Sequence, residues 1–360
     1  MKKRYKGLLL AVLVVLVLAE EVLKRRPALI EKGYSQTVYP TLSQGMNRVS
    51  GVFPFSLFEM MFCGVLIGVA FLTLMVIRRL WNRTGLKVHP QRALYFGVLA
   101  VLGGVLLFNT LWGLNYYREP LANRLGITMR QHSVSELKTV CKKLIEESNL
   151  LSVKVNRNSD EVMAVSGSRD AVLKRTAIGY REAGLKYPIF RTVYGYPKQV
   201  LFSDTMAWIG ISGIYSPFTA EPNVNALLPA STLPFTAMHE MGHLYGFARE
   251  DEANFVAWLT CRMHPDTDYQ YSGALMGTIY AMNALYESDP AAWSQLKKTY
   301  SPLVNADMKA NNAFWKRYEG PAERIHNRIN DGYLKANGQL EGVRSYGRMV
   351  DLLLEYELRE

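Results

Sequence analysis

Thr236-Ala-Met-His239-Glu240-Met-Gly-His243-Leu-Tyr-Gly246 is the stretch that decides how this 360-residue chain is read. Pro234 suits the first turn of a helix, with Ser231 or Thr232 in place to cap it. On that helix His239 and His243 lie one turn apart on one face, so both imidazoles can reach one metal ion. Glu240 is rotated by about 100° from His239, beside such an ion rather than on it. Three protein ligands would leave a fourth position for a water, whose pKa falls to about 7 on zinc. A carboxylate one hydrogen bond away can then take its proton.

Two surface histidines on an amphipathic helix would spell the same five letters. Here the helix is apolar, a helix-ending glycine follows, and then comes an acidic group, Arg249-Glu250-Asp251-Glu252-Ala253-Asn254-Phe255. An acidic helix start needs no metal, because it complements the helix dipole. Beside the two histidines, however, it offers a third ligand. Glu250 and Glu252 compete for that position, and a rotation of about 200° lets only one of them face the ion. Glu250 has Asn254 one turn later on its own face, which resembles the third-ligand helix of glutamate-zincins, where an Asp or Asn at that place orients a ligand histidine, whereas Glu252 is followed by Val256. Gly246 allows the sharp reversal that an acid only seven residues on requires. The expected ligands are therefore His239, His243 and Glu250, with Glu252 as the alternative and Asn254 in support.

Upstream of this region the chain is apolar. Met60 to Ile77 is uncharged and extends back toward Phe53 past Glu59, and Ala93 to Tyr117 is uncharged throughout. Each can cross about 30 Å of hydrocarbon. Gly7 to Ala19 is shorter and is stopped by Glu20 and Glu21; it reads as an uncleaved first helix, with a cleavable signal peptide as the alternative. Three membrane helices are thus expected, near 7–23, 55–77 and 93–115. The loop between the last two carries Arg78, Arg79, Arg83, Lys87 and Arg92, which places it in the cytoplasm by the positive-inside rule. The basic stretch from Lys24 to Arg48 weakens that signal, yet everything after Tyr117 falls outside the cytoplasm either way. The chain divides into a membrane region, 1–117, and an extracytoplasmic domain, 118–360, of a size that one core can support.

The net charge of +11, from 42 basic and 31 acidic residues, comes from scattered positions and from clusters that flank the apolar runs. Membrane lipid, not nucleic acid, is the partner it implies. Of three cysteines, Cys63, Cys141 and Cys261, none has metal-ligand spacing, and buried free thiols are expected. His89, His132 and His264 have no partner at ligand spacing.

In the domain, Ser133 and Glu136 have capping-box spacing ahead of an apolar stripe, predicting a helix over 133–151. A second helix is expected over 168–185. Val193 to Phe202, Met206 to Tyr215 and Asn223 to Leu228 read as short strands. From Thr232 onward the pattern is helical, with breaks at residues such as Pro265, Pro290, Pro302, Gly320 and Gly338. The expected class is α+β, mostly helical, with a small sheet and a helical C-terminal half.

The chain resembles a family of multi-pass bacterial membrane proteins, catalogued as a domain of unknown function, with a zincin metallopeptidase core. The resemblance rests on Trp112-Gly-Leu-Asn-Tyr-Tyr-Arg118, on Gly213-Ile-Tyr-Ser-Pro-Phe218 with Glu221 and Asn225, and on the His-Glu motif. It continues through Glu252-Ala-Asn-Phe255, Asn330-Asp-Gly-Tyr-Leu-Lys335 and Ser345-Tyr-Gly347. It brings no substrate. A zincin core implies an edge strand for the peptide and a His or Tyr for the developing oxyanion. Tyr215 is the first candidate for that role, ahead of His326 and Tyr333. The expected function is a membrane-anchored zinc peptidase acting on peptides or proteins with Glu240 as general base. The alternative is a non-catalytic zinc-binding sensor or scaffold of the cell envelope. An intramembrane protease is set aside, because Arg249 to Glu252 interrupt any apolar run around the motif.

Overall fold

In the computed structural model, which describes residues 3–82, 89–337, 339 and 347–359, the elements with the strongest local signals form as expected. Residues 83–88 of the basic loop, the Gly338 break and the Ser345-Tyr346 part of the terminal motif lie outside the described residues. The helices are α1 Lys3–Leu23, α2 Tyr39–Gly51 (led in by a π-helical stretch, Ile30–Val38), α3 Leu57–Trp81, α4 Pro90–Leu111, α5 Val134–Ser152 and α6 Arg169–Lys186. After the strands come α7 Leu233–Leu244, α8 Glu250–Met263, α9 Thr267–Ser288, α10 Pro290–Lys297, α11 Pro302–Tyr318, α12 Pro321–Ala336 and α13 Gly347–Glu357. Ser133 and Glu136 close the reciprocal capping box at the start of α5, and Ser168 caps α6.

The protein is mostly helical with one small sheet. The strands are β1 Lys198–Val200, β2 Gly213–Ser216 and β3 Glu221–Asn225, in the order β1-β3-β2. β1 runs parallel to β3, and β2 antiparallel to it. The expected strand from Met206 is corrected, because Ser203–Trp208 is a short helix and only Gly213 to Ser216 pairs. The backbone turns there because the amides of Leu201 and Phe202 both donate to the Glu59 carboxylate, at 2.9 and 2.6 Å. That contact, 142 residues away in sequence, overrides a local strand preference.

α7 sits at the centre, packed against α6, α8, α9 and the sheet. Every residue of α7 is buried except His239, so its apolar composition is that of a core helix with one opening. Cys141 and Cys261 are buried free thiols.

Among the described residues two helices, α3 and α4, are long and apolar enough to cross a membrane. This corrects the expectation of three. The uncharged run Gly7 to Ala19 covers only about 20 Å at about 1.5 Å per residue, and Lys6, Glu20 and Glu21 bracket it within α1. α1 instead lies along α4 in the same direction, with the Tyr95 hydroxyl on the Lys6 carbonyl and the Asn109 amide on Glu20. Among the described residues, nothing buries the most apolar part of α3.

The segment between α1 and α3 is built into the same body as the residues after α4. Glu31 receives Arg118 through two hydrogen bonds, at 2.8 and 2.9 Å, and Arg124 at 2.9 Å, all buried. Burial alone would raise the Glu31 carboxyl, but the two guanidiniums hold it below its ordinary value. Removing one partner of such a pair costs about 3–5 kcal/mol, so this cluster fastens the segment firmly. Tyr34 donates its hydroxyl to the Thr110 carbonyl at 2.9 Å, satisfying an acceptor that the end of α4 leaves open. Glu221 of β3 accepts the Leu57 and Phe58 amides at the start of α3, at 3.1 and 2.8 Å, and pairs with Lys198. It is a cap on an apolar helix, not part of the metal cluster.

Candidate metal centre

Pro234 occupies the first turn of α7, and Thr232 stands at the cap position without using its side chain there. Ser272 of α9 takes over, accepting the Phe235 amide at 3.0 Å while donating to the Ser231 carbonyl at 2.7 Å. The end of α7 is fixed by a reversal. Gly246, at φ 85°, donates to the His243 carbonyl, and Phe247 donates to the Gly242 carbonyl, the two bonds of a Schellman turn. A side chain at Gly246 would also meet Tyr39 at 3.0 Å and Arg118 at 3.1 Å.

This turn brings the Phe247 carbonyl back to the ring it serves. His243 Nδ1 lies 2.8 Å from that carbonyl, which can only accept, so Nδ1 carries the proton and Nε2 keeps its lone pair for a ligand. The two histidine rings are 4.6 Å apart and nearly perpendicular. α8 returns beside them and delivers Glu250, whose oxygens lie 3.4 Å from His239 Nε2 and 3.5 Å from His243 Nε2. One donor atom from each of the three residues falls within 4.8 Å of the others, a group that could hold a metal ion. Two imidazoles and one carboxylate leave a coordination position open, and this mixed donor set suits a borderline divalent cation such as zinc.

Glu252 takes no part. Its buried carboxylate accepts the Leu121 amide at 2.8 Å and Arg249 at 3.2 Å. Of the two acids that competed in the sequence, the structure brings Glu250 to the histidines. Without an ion, burial would depress His243, yet the Glu250 carboxylate raises it to about 9. Burial likewise opposes ionisation of Glu250, but His243 and His239 pull its carboxyl well below the ordinary range.

Glu240 is buried next to the cluster, and its Oε2 has no hydrogen-bond partner. Burial pushes its carboxyl up to about 7, although the neighbouring histidines lower it. The backbone of Gly213 at the start of β2 presses on this carboxylate so closely that a Cβ there would collide with it. The Glu240 carboxylate and the edge strand β2 are thus in direct contact.

The remaining expectations fare differently. Asn254 borders the cleft but bonds to neither ligand histidine. Its Oδ1 accepts from the Tyr280 hydroxyl at 3.2 Å, and both its Nδ2 and His239 Nδ1 are buried without partners. Tyr215 is also diverted. The Tyr39 hydroxyl donates to the His243 and Leu244 carbonyls at 3.3 and 3.1 Å, so the bond between Tyr39 and Tyr215, at 3.0 Å, spends the Tyr215 proton. That tyrosine supports the end of α7 and has no proton left for an oxyanion. Tyr333 on α12 accepts from the Tyr116 hydroxyl at 3.1 Å, which leaves its own proton free to point into the cleft. His326 and Asn330 share its side of α12, and burial lowers the His326 pKa.

Sequence reasoning missed Tyr39, Glu31 and Trp112. Trp112 lies one residue beyond α4, and its ring sits 5.8 Å from His243 and 4.7 Å from Tyr215. The aromatic run around Trp112 was visible, but its meeting with a histidine 131 positions on had no local signal.

No curated protein and no solved structure matches the chain. A family model does match, over residues 34–354, and its reach covers both the segment around α2 and the body that holds His239, His243 and Glu250. This chain belongs to that family, described as "Protein of unknown function (DUF3810)".

Proposed function

We propose that this protein is a membrane-anchored zinc metallopeptidase that hydrolyses peptide bonds with Glu240 as general base. The observation that carries this reading is the convergence of His239, His243 and Glu250 beside a buried carboxylate with a free oxygen. A purely structural zinc site closes with a fourth protein ligand and has no use for such a base. Zinc bound by these three residues supplies a Lewis acid and lowers the pKa of a water it binds to about 7.

The chain's own groups account for the remaining steps. Glu240 Oε2 takes a proton from the attacking water and returns it to the leaving amide nitrogen as the C–N bond breaks. The Gly213 backbone holds that carboxylate against β2, whose outer edge is available to an extended peptide. Tyr333 offers its hydroxyl proton to the carbonyl oxygen as negative charge develops there.

α3 and α4 cross the membrane in this reading, and the body after α4 lies outside the cytoplasm. The support is geometric. The segment between α1 and α3 and the residues after α4 form one body at one end of the two helices, and the basic residues Arg78, Arg79 and Arg92 stand toward the other end. Reporter fusions at Gly85 should be active in the cytoplasm and fusions at Gly167 outside it; the reverse result refutes this orientation.

The activity itself is tested with full-length protein purified in detergent. About one zinc per chain is expected, with hydrolysis of a broad peptide library that chelation abolishes and zinc restores. Hydrolysis that survives complete zinc removal refutes the mechanism.

A further inference from the structure

The cleft over the metal cluster, about 850 Å³ in volume, is bordered by the ends of both candidate membrane helices. Phe58 stands in the first turn of α3, Phe108 in the last turn of α4, and Trp112 just past it; all three line the same cleft as His239 and Glu240. A helix of 22 residues spans about 33 Å, close to the hydrocarbon thickness. Trp112, Tyr116 and Tyr117 therefore fall at the bilayer surface, where aromatic residues anchor membrane proteins. The residues of the metal cluster lie within one ring contact of that level, since the Trp112 and His243 rings are 5.8 Å apart.

The surroundings are apolar to match. Leu201 and Phe202, held against the first turn of α3 by Glu59, are 77% and 55% exposed, and Val52 just before α3 is 78% exposed. On the cleft rim Phe218 and Ile329 are exposed as well. Exposed apolar side chains at the foot of α3 and on the rim of a cleft suit contact with a membrane. The uncovered flank of α3 leaves lipid in contact with the helix whose first turn forms the cleft wall.

We infer that the substrate is a polypeptide anchored in the same bilayer, cut in the short stretch that emerges from the membrane surface. This rests on the peptidase reading above. A chain leaving the bilayer beside α3 and α4 reaches the cleft directly and can pair with β2, an edge strand whose Ile214 lines the cleft together with Phe218 from the turn that follows. A phospholipid headgroup fits less well: no lysine or arginine lines the cleft among the described residues, so nothing there matches a phosphate. In the reaction, water adds to the carbonyl carbon, the C–N bond breaks, and one proton ends on the new amine. No oxidant or further reactant is needed.

The test uses the full-length protein in lipid nanodiscs, which leave both membrane faces open. Three fluorogenic peptides share one cleavable sequence. The first is free, the second is joined directly to an apolar transmembrane helix, and the third is joined through a rigid polyproline spacer of about 20 residues, roughly 60 Å. The directly anchored peptide should be cleaved with kcat/KM at least about 100-fold above the free one, at bonds within about ten residues of the anchor. The spacer should return the rate most of the way to the free value, which separates depth from simple enrichment on the membrane. Equal rates for the two anchored peptides, or for all three, overturn the inference while leaving the peptidase reading standing. Release of fatty acid from the nanodisc lipid in place of peptide cleavage overturns both. A binding readout covers the case in which no peptide is cut. A photoreactive group placed next to the anchor should label residues around Phe58 and Phe108 in the Glu240→Gln protein, and labelling confined to other surfaces overturns the inference.

Discussion

Glu240→Gln should retain its zinc and lose peptide hydrolysis by about 10²- to 10⁴-fold, the range that a positioned acid–base group supplies. The substitution preserves shape and leaves all three metal-binding side chains in place. Gly213 packs against the carboxylate from the strand side, so the amide is held where the acid was. What changes is chemistry alone: a carboxamide cannot take a proton from water or return one to the leaving nitrogen. Burial already pushes the Glu240 carboxyl up to about 7, so in the native site the group can both accept and release a proton near neutral pH. Zinc content by elemental analysis and hydrolysis of a peptide library measure the two halves of the prediction. A variant that stays active removes Glu240 from the mechanism. A wild-type protein that holds zinc yet cuts nothing favours the sensor or scaffold reading instead.

The parts of this site that sequence made legible are those whose information is local. The one-turn spacing of His239 and His243 follows from helical pitch, and the Gly246 reversal from the need for a positive φ. The capping box of Ser133 and Glu136 and the aromatic run after α4 are equally local. What escaped was set by contacts between distant segments. Residues 30–51 carry no metal ligand, and only the basic character of Lys24 to Arg48 stood out, yet Tyr39 braces the His243 and Leu244 carbonyls and Glu31 anchors Arg118 and Arg124. A cue existed in the clustering of Tyr34, Tyr39, Asn47 and several serines, a composition richer than a plain connector needs. The third membrane helix was read from an apolar run already seen to be short, and the charges Lys6, Glu20 and Glu21 that bracket that run within α1 keep it from qualifying as a span. Tyr215 lay beyond local reading for a different reason. Only Gly213 to Ser216 of the expected strand pairs, and the Tyr215 hydroxyl meets that of Tyr39, 176 residues away.

Glu250→Ala should abolish stoichiometric zinc, whereas Glu252→Ala should keep it and lower stability instead. The two acids lie two residues apart on α8, and the helical rotation between them sends one to the histidines and the other to the opposite side. Glu250 faces both Nε2 atoms at 3.4 and 3.5 Å; removing it leaves two ligands for an ion that takes three from the protein. The loss of affinity should exceed the 10- to 100-fold that accompanies loss of a residue merely supporting a ligand. Glu252 has a different task, since its carboxylate satisfies the Leu121 amide and Arg249 inside the body. Stripping it strands a buried donor, which costs about 1–3 kcal/mol and should appear as a lower melting temperature with zinc still bound. Zinc content separates the two effects, because instability alone removes metal only from the unfolded fraction. If folded Glu252→Ala lacks zinc while Glu250→Ala retains it, the arrangement of α8 against α7 is not the one that holds the metal.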